Sequence, residues 1–237
     1  MWFARKATLT GAVAIDRRVR ISTASDSIIG TDADQTGTFA GEISGGALQI
    51  APGTSPIVFT HANTYSGGTE ILRSELILRG AGTAGAGPVR LDAGVLRFEN
   101  DEPTVFGNDL AGVGFVQLAG SAPVSFASAR VSGDGIGLDL CGTRQTFDAL
   151  PPFSAITNSS DKVAAVILAG EQGTVAWGDR TLSPAKKIEF EIGEGTMLDL
   201  GGQTLTVRSM SEGSRKRIVN GEIVETNPKR GIILIVR

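Results

Sequence analysis

The sequence is short of the residues that most chemistry needs. It has a single cysteine, Cys141, which excludes an internal disulfide framework and any all-cysteine zinc site. It has a single histidine, His61, with no second histidine or spaced cysteine to complete a metal site. Tyrosine also occurs once and aromatic residues make up 5% of the chain, which leaves few ring platforms for a sugar-processing groove. No apolar run approaches the roughly 18–20 residues of a membrane span. The opening "MWFARKATLTGAVAIDRRVRI" lacks the apolar core of a signal peptide, so an export signal is expected outside this chain. P-loop, GxSxG, HExxH and glycine-rich calcium-nonapeptide signatures are all missing.

Glycine is plentiful, at 32 of 237 residues, and shows no collagen period. It reads as punctuation between many short elements, and Gly or Pro interrupts nearly every window long enough for a helix. With 41% apolar residues to fill a core, the composition is that of an all-β protein. Charge is uneven: residues 1–20 carry five Lys/Arg against Asp16, and residues 208–237 carry seven against three Glu. The trunk between them is acidic, which argues against a nucleic-acid groove along the body. The run "SRKR" at 214–217 reads as a solvated turn.

Short alternating segments recur from "TLTGAVAI" through "ELILRG", "PVRLDAGVLRFEN" and "KIEFEIG" to "GIILIVR". Each places apolar side chains at every second position and ends at Gly, Ser, Asn, Asp or Pro. Inexact repeats lie among them: "GIGLDLCGTRQTFDAL" at 135–150 is echoed by "EGTMLDLGGQTLTVRSM" at 194–210. Strand–turn–strand units of this kind bury their apolar faces by stacking on one another, which is the logic of a solenoid. A parallel β-helix over residues 1–237 is therefore expected, with coils about 4.8 Å apart. The alternative is a β-sandwich, which pairs strands by short hairpins that are hard to find here. "GIILIVR" reads as a last coil whose open edge stacks with further β-helix.

The stretch "FTHANTYSGGTEILRSELILRGAGTAGAGPVRLDAG" resembles the autotransporter-associated β-strand repeat, whose typical form runs "LTGANTYSGGTTVSAGTLVLG". Upstream "TGTFAGEISGGALQIAPG" and downstream "LDLCGTRQTFDALPPFSAITNSSDK" are similar to the flanks of that repeat, so the likeness spans about residues 36–210. It implies a right-handed parallel β-helix of the passenger type found in type V secreted bacterial surface proteins. It also implies an extracellular or outer-membrane-attached location, and a host or matrix surface ligand, protein or glycan, as partner. The chain departs from the pattern at His61 (usually Gly), Glu70 (Thr), Ser74 (Gly) and Cys141 (Asn), where remodelled corners are expected.

Within "HANTYSGGTE" the residues themselves point to a turn. Asn63 and Ser66 are placed to hydrogen-bond backbone, Gly67 and Gly68 permit positive φ, Tyr65 would cover the corner, and Thr69 would begin the next strand. Gly80, Gly82 and Gly85 form a GxGxxG after a strand, with Glu99, Asp101 and Glu102 some way on, superficially a dinucleotide fingerprint. However, Gly87-Pro88 stands where the phosphate-binding helix would have to grow, so this is read as a loop. Two acidic clusters, Asp26/Asp32/Asp34 and Glu99/Asp101/Glu102, suit solvated loops, a Ca²⁺ site or the paired acids of a glycosidase. The expectation is a non-enzymatic structural or adhesive β-helix with no catalytic residue, cofactor or metal. The alternative is a carbohydrate-active or carbohydrate-binding β-helix using the acidic loops. Loops 23–36 and 151–162 are the expected places for specific binding.

Overall fold

A computed structural model describes residues 2–3, 7–9, 11–15, 19–23, 37–52, 56–126, 129–132, 135–170, 173–226 and 233–236. Nearly all of its strands pair in parallel, giving a β-solenoid of about nine turns with almost no helix. Parallel ladders rule out the sandwich, whose sheets are antiparallel. The chain divides into two compact units, residues 1–102, 107–117 and 128–136, and residues 103–106, 118–127 and 137–237.

In the first unit most rungs are only three to five residues long, because a glycine or polar corner ends each alternating triplet. Gly37–Phe39, Ile57–Phe59, Glu75–Arg79 and the second half of Val89–Glu99 stack in parallel register on one face. The register aligns Phe39, Phe59, Leu78 and Phe98 in one inward column. All four are at most 4% exposed, and the Phe39 and Phe59 rings meet edge to face at 5.5 Å. On a second face, Leu48–Ile50, Thr69–Leu72 and the first half of Val89–Glu99 align Ile50, Ile71 and Leu91. Each such side chain contributes about 1.5–3 kcal/mol by leaving water. "PVRLDAGVLRFEN" thus serves two faces, and the chain turns between them at Ala93, where φ is +49°. Arg73 makes the same turn one coil earlier at φ +43°. Here Arg73, and not the neighbouring Ser74, carries the left-handed conformation.

The second unit builds a face from Arg144–Phe147, Ala164–Leu168 and Ile188–Ile192, with Phe147, Leu168 and Ile192 in one inward column. Ala155–Thr157 with Thr181–Ser183, and Gly173–Ala176 with Thr196–Asp199 and Ile218–Val219, form two more faces. Phe106, Phe126 and Phe153 meet edge to face in series, at 6.0 and 5.2 Å. Trp177 packs on Phe190 at 5.7 Å. Coil length is not constant here: Leu205 aligns with Ile223 but Ile156 with Leu182.

Two expectations need correction. "SRKR" is not simply a solvated turn. Its first two residues end a one-turn helix, Glu212–Arg215, capped by the Ser211 hydroxyl, which accepts from the Ser214 amide, and Lys216 and Arg217 form the turn after it. Ser214 is 1% exposed and accepts from the Ile192 amide at 2.9 Å, while Arg215 pairs with Glu225. The strand Ile233–Val236 of "GIILIVR" is not a further parallel coil either. It runs antiparallel along Gly221–Glu225.

Candidate functional site

The stretch 63–69 is a corner held from the coil before it and the coil after it. The Asn63 carboxamide accepts from the Ile43 amide at 2.8 Å and donates to the Thr83 carbonyl at 2.7 Å, so one side chain ties three successive coils. Tyr65 does not cover the corner. It points into the solenoid with no exposure, its hydroxyl 2.6 Å from Thr69 Oγ1, which donates onward to the Ala84 carbonyl at 3.0 Å. Burial pushes the Tyr65 phenol above its ordinary value, only partly offset by the bond to Thr69. Ser66 is exposed and bonds Gly45 through its own backbone amide. Gly68 has φ +90°, whereas Gly67 is needed for closeness: a Cβ there would lie 2.8 Å from Ala47 Cβ. His61 is exposed, its Nδ1 2.8 Å from the Ala62 carbonyl oxygen.

The GxGxxG glycines are fitted to neighbouring coils and open no helix. A Cβ on Gly82 would lie 2.0 Å from the Phe59 carbonyl oxygen, and one on Gly85 2.6 Å from the Tyr65 ring. Strand Val89–Glu99 follows directly. Of the acidic clusters, Asp26, Asp32 and Asp34 lie outside the described residues. Glu99 pairs with Arg79 at 2.6 Å and with Arg97 at 2.9 Å on the outer face. Glu70 likewise accepts from Gln49 at 2.6 Å and lies 3.9 Å from Arg90. Among the described residues no group of three His, Cys, Asp or Glu is placed to hold a metal ion, and no helix is long and apolar enough to cross a membrane.

The two "LDL" copies have the same turn. Asp139 accepts from the Cys141 amide at 3.0 Å, and Asp199 from the Gly201 amide at 2.8 Å. Cys141 and Gly142 have φ +49° and +77°; Gly201 and Gly202 have +60° and +85°. Burial pushes the Asp139 carboxyl up, but the bonds it accepts from Ser159 and Cys141 outweigh this and hold it below the usual carboxylate value. Nearby Asn158 is a second coil-bridging amide. It accepts from the Gly142 amide at 2.9 Å and donates to the Lys162 and Lys187 carbonyls at 2.8 and 3.0 Å.

In one place in the second unit two facing strands do not pair. Among the described residues, Thr181–Ser183 pairs on one edge only, with Ala155–Thr157, and Thr204–Val207 pairs only with Gly221–Glu225. Coil-to-coil bonding is intact before the gap, where Trp177 N donates to Asp199 O, and resumes after it, where Arg208 N donates to Ile188 O. Between these points lies a cleft of about 540 Å³ lined by Arg180, Thr181, Gln203, Thr204 and Thr206, with Trp177 at its base. Trp177 is 2% exposed and donates its Nε1–H to the Arg180 carbonyl. The Arg180 guanidinium donates to the carbonyls of Trp177 and Pro151. Burial pulls it below the ordinary arginine value with no carboxylate to counter the effect. None of these residues stood out in the sequence; the available signal was the alternation in "RTLS" and "QTLTV", which puts hydroxyls on one outer face of successive coils.

Comparison of the chain with protein families, with curated proteins and with solved structures finds no match.

Proposed function

We propose that the chain is a non-enzymatic β-helical scaffold of an exported bacterial surface protein of the autotransporter type, acting as stalk and adhesive face. The observation that carries this reading is the use made of its recurrent polar residues. Asn63 lies in the stretch with the most specific resemblance to the repeat and Asn158 in its downstream flank, and both amides are spent on tying coil to coil. Glu70 and Glu99 are likewise engaged with side chains of adjoining rungs. Hydrogen bonding along the axis resists bending and lets each coil template the next, which suits a chain that folds progressively from one end. The glycosidase alternative gains nothing from Glu99, whose carboxylate is shared between two arginines. The reading is tested by labelling intact source cells with an antibody to this chain. Label on unpermeabilised cells, removed by external protease, is expected; label that appears only after permeabilisation refutes export to the surface.

A further inference from the structure

We propose that the cleft between Thr181–Ser183 and Thr204–Val207 binds a carboxylated oligosaccharide, with the Arg180 guanidinium taking the sugar carboxylate and Thr181, Gln203, Thr204 and Thr206 contacting its hydroxyls. The inference rests on the reading of the chain as a non-catalytic surface scaffold and names the ligand class of that surface. It begins from the lapse in the ladder. Thr181–Ser183 and Thr204–Val207 face each other with no ladder bond between them. Here Thr181 N donates to Ser154 O and Ser183 O accepts from Asn158 N, both toward the preceding coil. By the alternation of a parallel strand, the Leu182 amide and carbonyl are turned the other way, into the cleft.

The cleft is too narrow for a peptide strand to add itself between the two edges. Some Cα atoms of Thr181–Ser183 and Thr204–Val207 lie within 8 Å of each other, whereas an inserted strand needs about 9.5 Å, two ladder spacings. A ligand must therefore lie across the mouth and meet side chains. Those side chains are hydroxyls, a carboxamide and a guanidinium, the donors and acceptors that match a polyhydroxylated chain. Arg180 adds the demand for an anion. It is half-buried, no carboxylate among the described residues pairs with it, and its two backbone acceptors leave three of its five N–H donors for a ligand. The planar fork suits a carboxylate bidentately. Thr204 Oγ1 reaches Glu222 at 3.3 Å and Gln203 Nε2 reaches Asp179 at 3.5 Å, both long enough to be exchanged for a sugar hydroxyl.

The test is calorimetric titration of the whole chain with galacturonate, glucuronate and mannuronate oligomers, with their methyl esters, and with an acidic peptide. At least one uronate should bind, and its affinity should fall about tenfold or more on esterification and in Arg180→Gln, the expected loss of a charge-assisted pair. Thr206→Glu sets a negative charge at the mouth without touching the Arg180 bonds and should weaken binding similarly, with circular dichroism unchanged. No binding of any uronate, equal binding of acid and ester, indifference to both substitutions, or preference for the peptide would overturn the proposal. Size analysis of the titrated oligomers separates the two readings. Shortened products together with Arg180-dependent binding would refute the non-enzymatic scaffold and support the cleft as a glycan site.

Discussion

Replacing Asn63 with alanine removes one buried and one part-buried hydrogen bond that no other group can restore. The Ile43 amide loses its acceptor at 2.8 Å and the Thr83 carbonyl its donor at 2.7 Å, while the Asn63 backbone keeps its bond from N to Thr83 Oγ1. A buried unpaired polar group costs about 1–3 kcal/mol. Asn63 itself is only 7% exposed, so water reaches these groups poorly, and Asn63→Ala is expected to cost about 2–4 kcal/mol. Solenoids need not unfold in one step, so the local readout matters as much as the urea midpoint. Amide exchange at Ile43 should accelerate about thirtyfold or more, since each 1.4 kcal/mol is a factor of ten. Ser66→Ala, at an exposed hydroxyl in the same turn, should change stability by less than about 0.5 kcal/mol. Asn63→Asp sharpens the test. A carboxylate still accepts from Ile43 but faces the Thr83 carbonyl with a second oxygen, so it should be at least as damaging at neutral pH. It should recover in part as acid protonates it and restores a donor. If Asn63→Ala unfolds within about 0.5 kcal/mol of the parent and Ile43 exchange is unchanged, the bridging argument is wrong.

The other predictions concern single positions. Because burial raises the Tyr65 phenol above its ordinary value of 10.0, the unfolded chain loses that proton first. Stability should be flat below about pH 10 and then fall by about 1.4 kcal/mol per pH unit from this group. Tyr65 is the only tyrosine, so tyrosinate absorbance should appear only as the chain unfolds, and Tyr65→Phe should abolish this share of the slope. Cys141 stands at φ +49° where its repeat partner Gly201 stands at +60°. In thermal denaturation, Cys141→Gly and Cys141→Asn should match or exceed the parent and Cys141→Val should lose about 1–2 kcal/mol. Gly82→Ala, whose Cβ would lie 2.0 Å from the Phe59 oxygen, should cost about 2–4 kcal/mol by urea denaturation. Gly80→Ala, with open space at φ +58°, should cost only about 1 kcal/mol of left-handed strain.

The rungs were legible in the sequence because their rule is local. Alternation in "KIEFEI" and "VLRFE" fixes which side chains face inward, and the structure follows it, while Val58 and Ile77, between the inward residues of "IVFT" and "ELILR", are buried as well. The match of the two "LDL" turns was legible for the same reason, since an aspartate accepting from the amide two residues on is a short-range motif. What could not be read depends on how coils align. Asn63 meets Ile43 and Thr83 only because the coils there are twenty residues long, and Tyr65 points inward because Gly85 of the next coil leaves room for its ring. The return of Ile233–Val236 and the burial of Ser214 within a charged run are likewise set by neighbouring coils, to which periodicity is blind.

The cleft belongs to the same class of hidden feature and has a traceable cause. The register Ile156↔Leu182 spans a longer coil than Leu205↔Ile223, and coils of unequal length cannot stay in step on every face. In the second unit the mismatch is absorbed between Trp177 and Ile188, where the chain makes the turn at 178–180 and the 3-10 turn Ala185–Lys187. The flanking ladders keep both walls fixed, so the gap is framed on each side by intact backbone bonds. A lapse of this sort leaves strand-edge groups unpaired and the half-buried charge of Arg180 bonded only to the neutral carbonyls of Trp177 and Pro151, at a cost in stability that regular stacking would have avoided. The first unit shows how the chain treats charges that only hold coils together: Glu70, Glu75 and Glu99 each have an arginine within 4 Å on an adjoining rung. Among the described residues Arg180 has no such arrangement, and that contrast is the physical reason to look for its anion outside the chain.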